Sequence, residues 1–152
     1  MKDVSNEYLA VAEGIILGMD KDKANEVRKH LSASEYFNEW ASITIQGHRG
    51  SGHTHFAKKL DVSLSMHGYK CIILVSTRHL QQDMIRHGAE NVDFIGVRWH
   101  NQMRENKINN IIVSKPSIII ADSIHLSDED IVRFTHYIYS ADEPIFFVKT
   151  GR

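Results

Sequence analysis

One stretch limits what this chain can fold into more than any other: Ile43-Thr44-Ile45-Gln46-Gly47-His48-Arg49-Gly50-Ser51-Gly52-His53-Thr54. It reads as a short apolar strand, a glycine-rich loop and the start of a helix. Gly47, Gly50 and Gly52 permit a tight turn with backbone N–H groups directed inward. The helix that follows aims its amino terminus, with free N–H groups and the positive end of its dipole, at the same point. The loop fits G-x-x-x-x-G-K-[ST] at every fixed position but one, since His53 stands where lysine is required. Such a unit suits an anion. The same residues also suit a glycine-rich turn that holds no ligand.

The rest of the chain alternates strand and helix signals. Lys70–Ser76, Val92–Val97, Ser117–Ala121 and Pro144–Lys149 read as strands, with Ile43–Gln46 before them. Thr54–His67 reads as a helix stopped by Gly68, His79–His87 as one stopped by Gly88, and Ser127 caps a helix through Tyr139. Asn101–Asn110 is polar and reads as a loop or a loose helix. Apolar runs that do not alternate indicate strands buried on both faces. The expected fold class is therefore α/β, a three-layer parallel sheet with right-handed crossovers, whose ligands bind at the carboxyl ends of the strands.

Ahead of this core, residues 1–41 read as a helical extension: Asp3–Met19 with an apolar stripe, Lys23–Leu31, and a third segment capped by Ser32 or Ser34 and ending at Trp40. Residues 42–152 form the core, and the whole is expected to be one domain. A chain of 152 residues, 42% hydrophobic and 24% charged, has enough material for one sizeable core. A net charge of −1 gives no global pull toward nucleic acid or membrane. A single cysteine, Cys71, excludes an internal disulfide and fits a reducing, cytoplasmic setting. No secretory leader is visible, and no run reaches the roughly 18 apolar residues of a membrane span. His53 and His55 are the closest histidine pair, but alternate helical residues face different sides and make a poor zinc pair.

On the loop Gly47–Thr54 and the apolar run Ile118-Ile119-Ile120-Ala121-Asp122, the chain resembles the P-loop nucleoside triphosphatases. It is most similar to the additional-strand branch that includes helicases, terminase motors, RecA-like and AAA+ proteins. The resemblance covers residues 42–152. It implies a nucleotide, ATP or ADP, held by Gly47, His48, Arg49, Gly50, Ser51, Gly52, His53 and Thr54. It implies a magnesium ion held by Thr54 and Asp122, and a γ-phosphate sensor at Thr150. Arg152 matches either a phosphate contact or an arginine finger across a subunit interface, and also suits plain surface charge. The compact core resembles phage-encoded accessory proteins acting in a host cytoplasm.

Two departures bear on activity. A histidine is shorter than lysine and half-charged only near its reference pKa of ~6.5. Ser123 stands where helicases, terminases and AAA+ proteins carry a water-activating glutamate; His125, Asp128 and Glu129 are the nearby substitutes. RecA-like members place that glutamate after the strand following the phosphate helix, and here that region is Ser76-Thr77-Arg78-His79. The expectation is nucleotide binding with weak or partner-dependent hydrolysis. The alternatives are a non-hydrolysing relative that serves a DNA-processing or motor protein, or forms a homo-oligomer, and a nucleic-acid-binding accessory. For the last, Arg98, Trp99 and His100, with Arg78, Arg86 and Arg104 nearby, follow two successive strands and suit base stacking and phosphate contact, or a solvated loop with a packed tryptophan.

Overall fold

The computed structural model describes residues 14–15, 17–18, 21–22, 42–45, 53–142 and 145–150. The core elements are β1 (Ser42–Ile45), α1 (His53–Met66), β2 (Cys71–Val75), α2 (Arg78–Arg86), β3 (Val92–Phe94), α3 (Asn101–Val113), β4 (Ile118–Asp122), α4 (Asp128–Ser140) and β5 (Phe146–Thr150). The five strands form one sheet in the order β1-β5-β4-β2-β3, and every pairing is parallel. The fold class is α/β, as the non-alternating runs imply. Of the amino-terminal segment, helical backbone is described at Gly14, Ile15, Leu17, Lys21 and Asp22; the proposed helices over Lys23–Leu31 and up to Trp40 lie outside the described residues.

Burial on both faces explains the apolar runs. Ile118, Ile119, Ile120 and Ala121 of β4 are all fully buried. On one face Ile73, Ile118, Ile120 and Val148 pack with Phe56, Leu60 and Leu64 of α1 and Met84 of α2. On the other, Leu74, Ile119 and Ala121 pack with Ile108 and Ile111 of α3 and Phe134 of α4. The chain moves across the sheet in one direction with α1 and α2, then reverses direction and face together with α3 and α4. All four crossovers therefore share one hand, as twisted parallel strands demand.

Local signals set the element ends. Gly68 and Gly88 adopt φ of 89° and 103°, and the chain after each helix folds back through Tyr69 N–H to Leu64 O and Ala89 N–H to Met84 O, both 3.1 Å. Ser127 caps α4 in a reciprocal box with Asp130. Of the two readings left open for the polar stretch after His100, the helix is found, and it is regular and runs 13 residues, to Val113. Its buried face is Arg104, Ile108 and Ile111, so an arginine occupies a position where a core residue was to be sought. The third strand ends at Phe94, short of the expected Val97.

Phe56 sits at the centre of the first cluster with no exposure, whereas Val132 on α4 is 66% exposed. Phe56→Ala is expected to cost about 3–5 kcal/mol in denaturant unfolding. Val132→Ala should stay within about 0.5 kcal/mol. Equal costs would contradict this assignment of the core.

Candidate functional site

Parallel pairing places all strand carboxyl ends on one edge. There Ile45 of β1 pairs in register with Thr150 of β5, and Thr150 with Asp122 of β4. The strand carrying Thr150 thus lies between the strand that enters the glycine-rich loop and the strand that ends in Asp122. The same edge receives the start of α1. The Thr54 hydroxyl, in the first turn, donates a 3.0 Å hydrogen bond to Asp122 Oδ2. Asp122 is buried at 4% exposure, and its carboxylate sits where the α1 dipole favours negative charge.

Two residues far apart in sequence, picked out as a pair of magnesium ligands, are therefore in contact. Gly47, His48, Arg49, Gly50, Ser51, Gly52 and Arg152 lie outside the described residues. His53 and Thr150 are placed by their backbone alone, at the start of α1 and the end of β5. Among the described residues there is no group of three or more histidine, cysteine or acidic side chains fit to cage a metal. One carboxylate beside one hydroxyl is instead the donor set that suits magnesium, which keeps several waters and takes phosphate oxygens as further ligands.

Directly after Asp122 the backbone turns sharply. Ser123 is exposed and adopts φ of 50°, a left-handed conformation that costs a residue other than glycine roughly 1 kcal/mol or more. Ile124 and Leu126 are buried, and His125 is exposed. Asp128 and Glu129 are exposed in the first turn of α4.

This segment is clamped by Arg104, whose sequence position suits either a ligand surface or a solvated loop. Arg104 is 5% exposed. Its Nε donates to Asp130 Oδ2 at 2.8 Å, Nη1 to Gly96 O at 2.8 Å and Nη2 to His125 O at 2.9 Å. Asp130 is fully buried and also accepts the Ser127 N–H at 2.9 Å. Burial pushes the Asp130 carboxyl upward, but the hydrogen bonds from Arg104 and Ser127 and the guanidinium charge outweigh it and hold it below the usual range. The signal for this pair was an arginine four residues before Ile108 on a helix whose other buried members are isoleucines.

Nor are Trp99 and His100 free for base stacking. The half-buried Trp99 ring meets Phe94 edge-on at 5.3 Å, and Lys107 Nζ lies 5.7 Å over it. It also covers Gly96, where a Cβ would come within 2.5 Å of Nε1. His100 caps α3, its Nδ1 accepting the Met103 N–H at 3.3 Å. Arg98 is exposed, and Arg78 lies over the Phe94 ring at 5.6 Å. No helix among the described residues is long and apolar enough to cross a membrane.

No family model matches this sequence, and no curated protein is similar to it. Among solved structures, the flagellar accessory protein FlaH of Methanocaldococcus jannaschii aligns with 74% of this chain at 14% identity and a TM-score of 0.42. The chain spans 61% of that protein's length.

Removing Arg104 would leave the buried Asp130 with the Ser127 N–H and a longer 3.4 Å contact to Arg133, and would strip the Gly96 and His125 carbonyls of their side-chain donor. Arg104→Ala is expected to cost about 3–5 kcal/mol in denaturant unfolding. Because the folded Asp130 value lies below the unfolded one, the contribution of that pair is present above the unfolded carboxylate value. It is lost as pH falls through the lower, folded value. Acid unfolding of the wild type should therefore steepen below about pH 4, and Asp130→Asn should flatten that limb. An Arg104→Ala chain as stable as wild type would contradict the clamp.

Proposed function

We propose that this chain binds a magnesium nucleotide, ATP or ADP, at the carboxyl edge of β1, β5 and β4, with hydrolysis that is slow or dependent on a partner. The observation that carries the reading is the Thr54–Asp122 hydrogen bond, at the start of the helix that leaves the glycine-rich loop. The strand order, with Thr150 between Ile45 and Asp122, supports it.

In this reading Gly47–Gly52 cradle the phosphates with backbone N–H groups, and the α1 terminus favours their charge. Thr54 and Asp122 hold magnesium, which supplies charge neutralisation between the phosphates. Thr150 faces the terminal phosphate, and His53 replaces the lysine with a shorter group. The loss of one electrostatic donor typically lowers rate ~10²–10³-fold and of a general base ~10²–10⁴-fold. These effects do not add simply. Binding tolerates both changes better than turnover does, because the backbone cradle needs neither side chain.

A second reading, a non-hydrolysing relative retained as the partner of a motor or DNA-processing protein, is favoured by Ser123. It leaves the residue after Asp122 without an acid.

Calorimetric titration with magnesium ATP separates the possibilities. Wild type should bind, and His53→Lys should tighten binding about tenfold or more, or ~1.4 kcal/mol. Asp122→Asn should remove the dependence on magnesium while leaving weak binding of free ATP. Absence of binding in both wild type and His53→Lys would sink the nucleotide reading. Binding by His53→Lys with no turnover under any condition would favour the second.

A further inference from the structure

The core face of α1 carries one residue that does not belong with its neighbours. Phe56, Ala57, Leu60 and Leu64 are all fully buried, and so is Asp61. Its Oδ2 accepts the Glu90 N–H at 3.3 Å, which ties the middle of α1 to the turn before β3. Among the described residues its Oδ1 has no hydrogen-bond partner, and the buried Oγ of Ser65, one helical turn further on, has only the Cys71 sulfur beside it, whose thiolate it favours. Buried polar atoms are nearly always paired, and an unpaired carboxylate oxygen is among the costliest exceptions.

Among the described residues, the groups that face Asp61 offer no compensating charge. Ser65 lies on its own helix. From β2 comes Cys71, 1% exposed, with its thiol turned to Tyr69 O at 3.8 Å. From the turn before β3 comes Glu90, which adds a like charge. No lysine, arginine or histidine among the described residues is ion-paired to Asp61.

We propose that Asp61 is a proton-operated joint between α1 and the turn that precedes β3. When neutral, its hydroxyl is donated to Ser65 Oγ while the other oxygen keeps the Glu90 N–H, so one proton serves both atoms. When ionised, even with the Ser65 hydroxyl turned to donate to it, it leaves a fully buried charge beside the like charge of Glu90, with no ion-paired cation among the described residues, and loosens the seat of α1. This is the same helix that carries Thr54 in its first turn.

The electrostatics agree with that geometry. Burial pushes the Asp61 carboxyl from 3.8 up to about 6; the Glu90 N–H opposes the rise, and the Glu90 charge adds to it. Ionised Asp61 in turn helps burial push the Cys71 thiol up to about 12. Because the folded value exceeds the unfolded one, the stabilisation is fully present below about 3.8 and is lost as pH rises through about 6.

The test uses the nucleotide-free chain, so it stands or falls independently of ATP binding. The carbon-detected NMR titration of the Asp61 carboxyl in wild type should have a midpoint near 6. Ser65→Ala should move that midpoint down, since the neutral acid loses its acceptor; a rise would mean that Ser65 donates to the ionised carboxylate and would overturn the proposal. Thermal unfolding of Asp61→Asn beside wild type should show the variant melting roughly 5 °C higher at about pH 8, with the gap about halved at about pH 5. A midpoint near the ordinary aspartate value would overturn the proposal. So would a midpoint that Ser65→Ala leaves unmoved, or a melting difference equal at both pH values.

Discussion

Parallel pairing of every strand is the constraint from which the rest of this molecule follows. It sends each chain crossing over one face or the other, so both faces are covered and the strands read as continuous apolar runs. It also gathers all strand carboxyl ends on one edge, where backbone groups lack neighbours and helices begin. Polar side chains collect there because the interior has no place for them. Asp122 at the end of β4 and Thr54 at the start of α1 meet on that edge as a consequence of topology.

The helices on the second face then need an anchor of their own. Arg104 provides it by joining the turn at Gly96, the turn at His125 and the start of α4 through one guanidinium. Its bonds to backbone carbonyls fix the segment after Asp122, including the left-handed Ser123. The carboxyl edge is thus held rigid by a buried ion pair that touches no ligand. On the first face Asp61 occupies a comparable position on α1 but lacks a cation, and that difference makes one carboxylate an anchor and the other a point of strain.

Much of this was legible in the residues. Apolar runs marked the strands, Gly68 and Gly88 marked helix ends, Ser127 marked a cap, and the resemblance carried by the glycine-rich loop and the apolar run implied that Thr54 and Asp122 come together, as they do. These signals are local, or rest on a pattern whose spacing is fixed by the fold. What escaped was the buried pair Arg104–Asp130 and the buried Asp61. Arg104 left α3 open between a loop and a loose helix, because a cation on the core face interrupts the apolar stripe. Around Trp99 the residues leave open a ligand surface or a solvated loop with a packed tryptophan, because sequence neighbours of a strand end do not disclose which of them fold back; the tryptophan is packed, and Arg104 is buried. Asp61 lies in register with Ala57 and Leu64, but nothing local distinguishes a buried aspartate from a solvated one. The residues of the loop itself, Gly47–Gly52, lie outside the described part of the chain.

The central claim is that Thr54 and Asp122 hold a divalent ion together with a nucleotide. Manganese(II), a paramagnetic stand-in for magnesium, tests it most directly by selective broadening of amide signals in solution NMR. With ATP present, the signals of Thr54, Asp122 and Thr150 should broaden first, and manganese alone should leave them sharp. Broadening that ignores ATP, or that centres on the acidic first turn of α4 at Asp128 and Glu129, would contradict the claim.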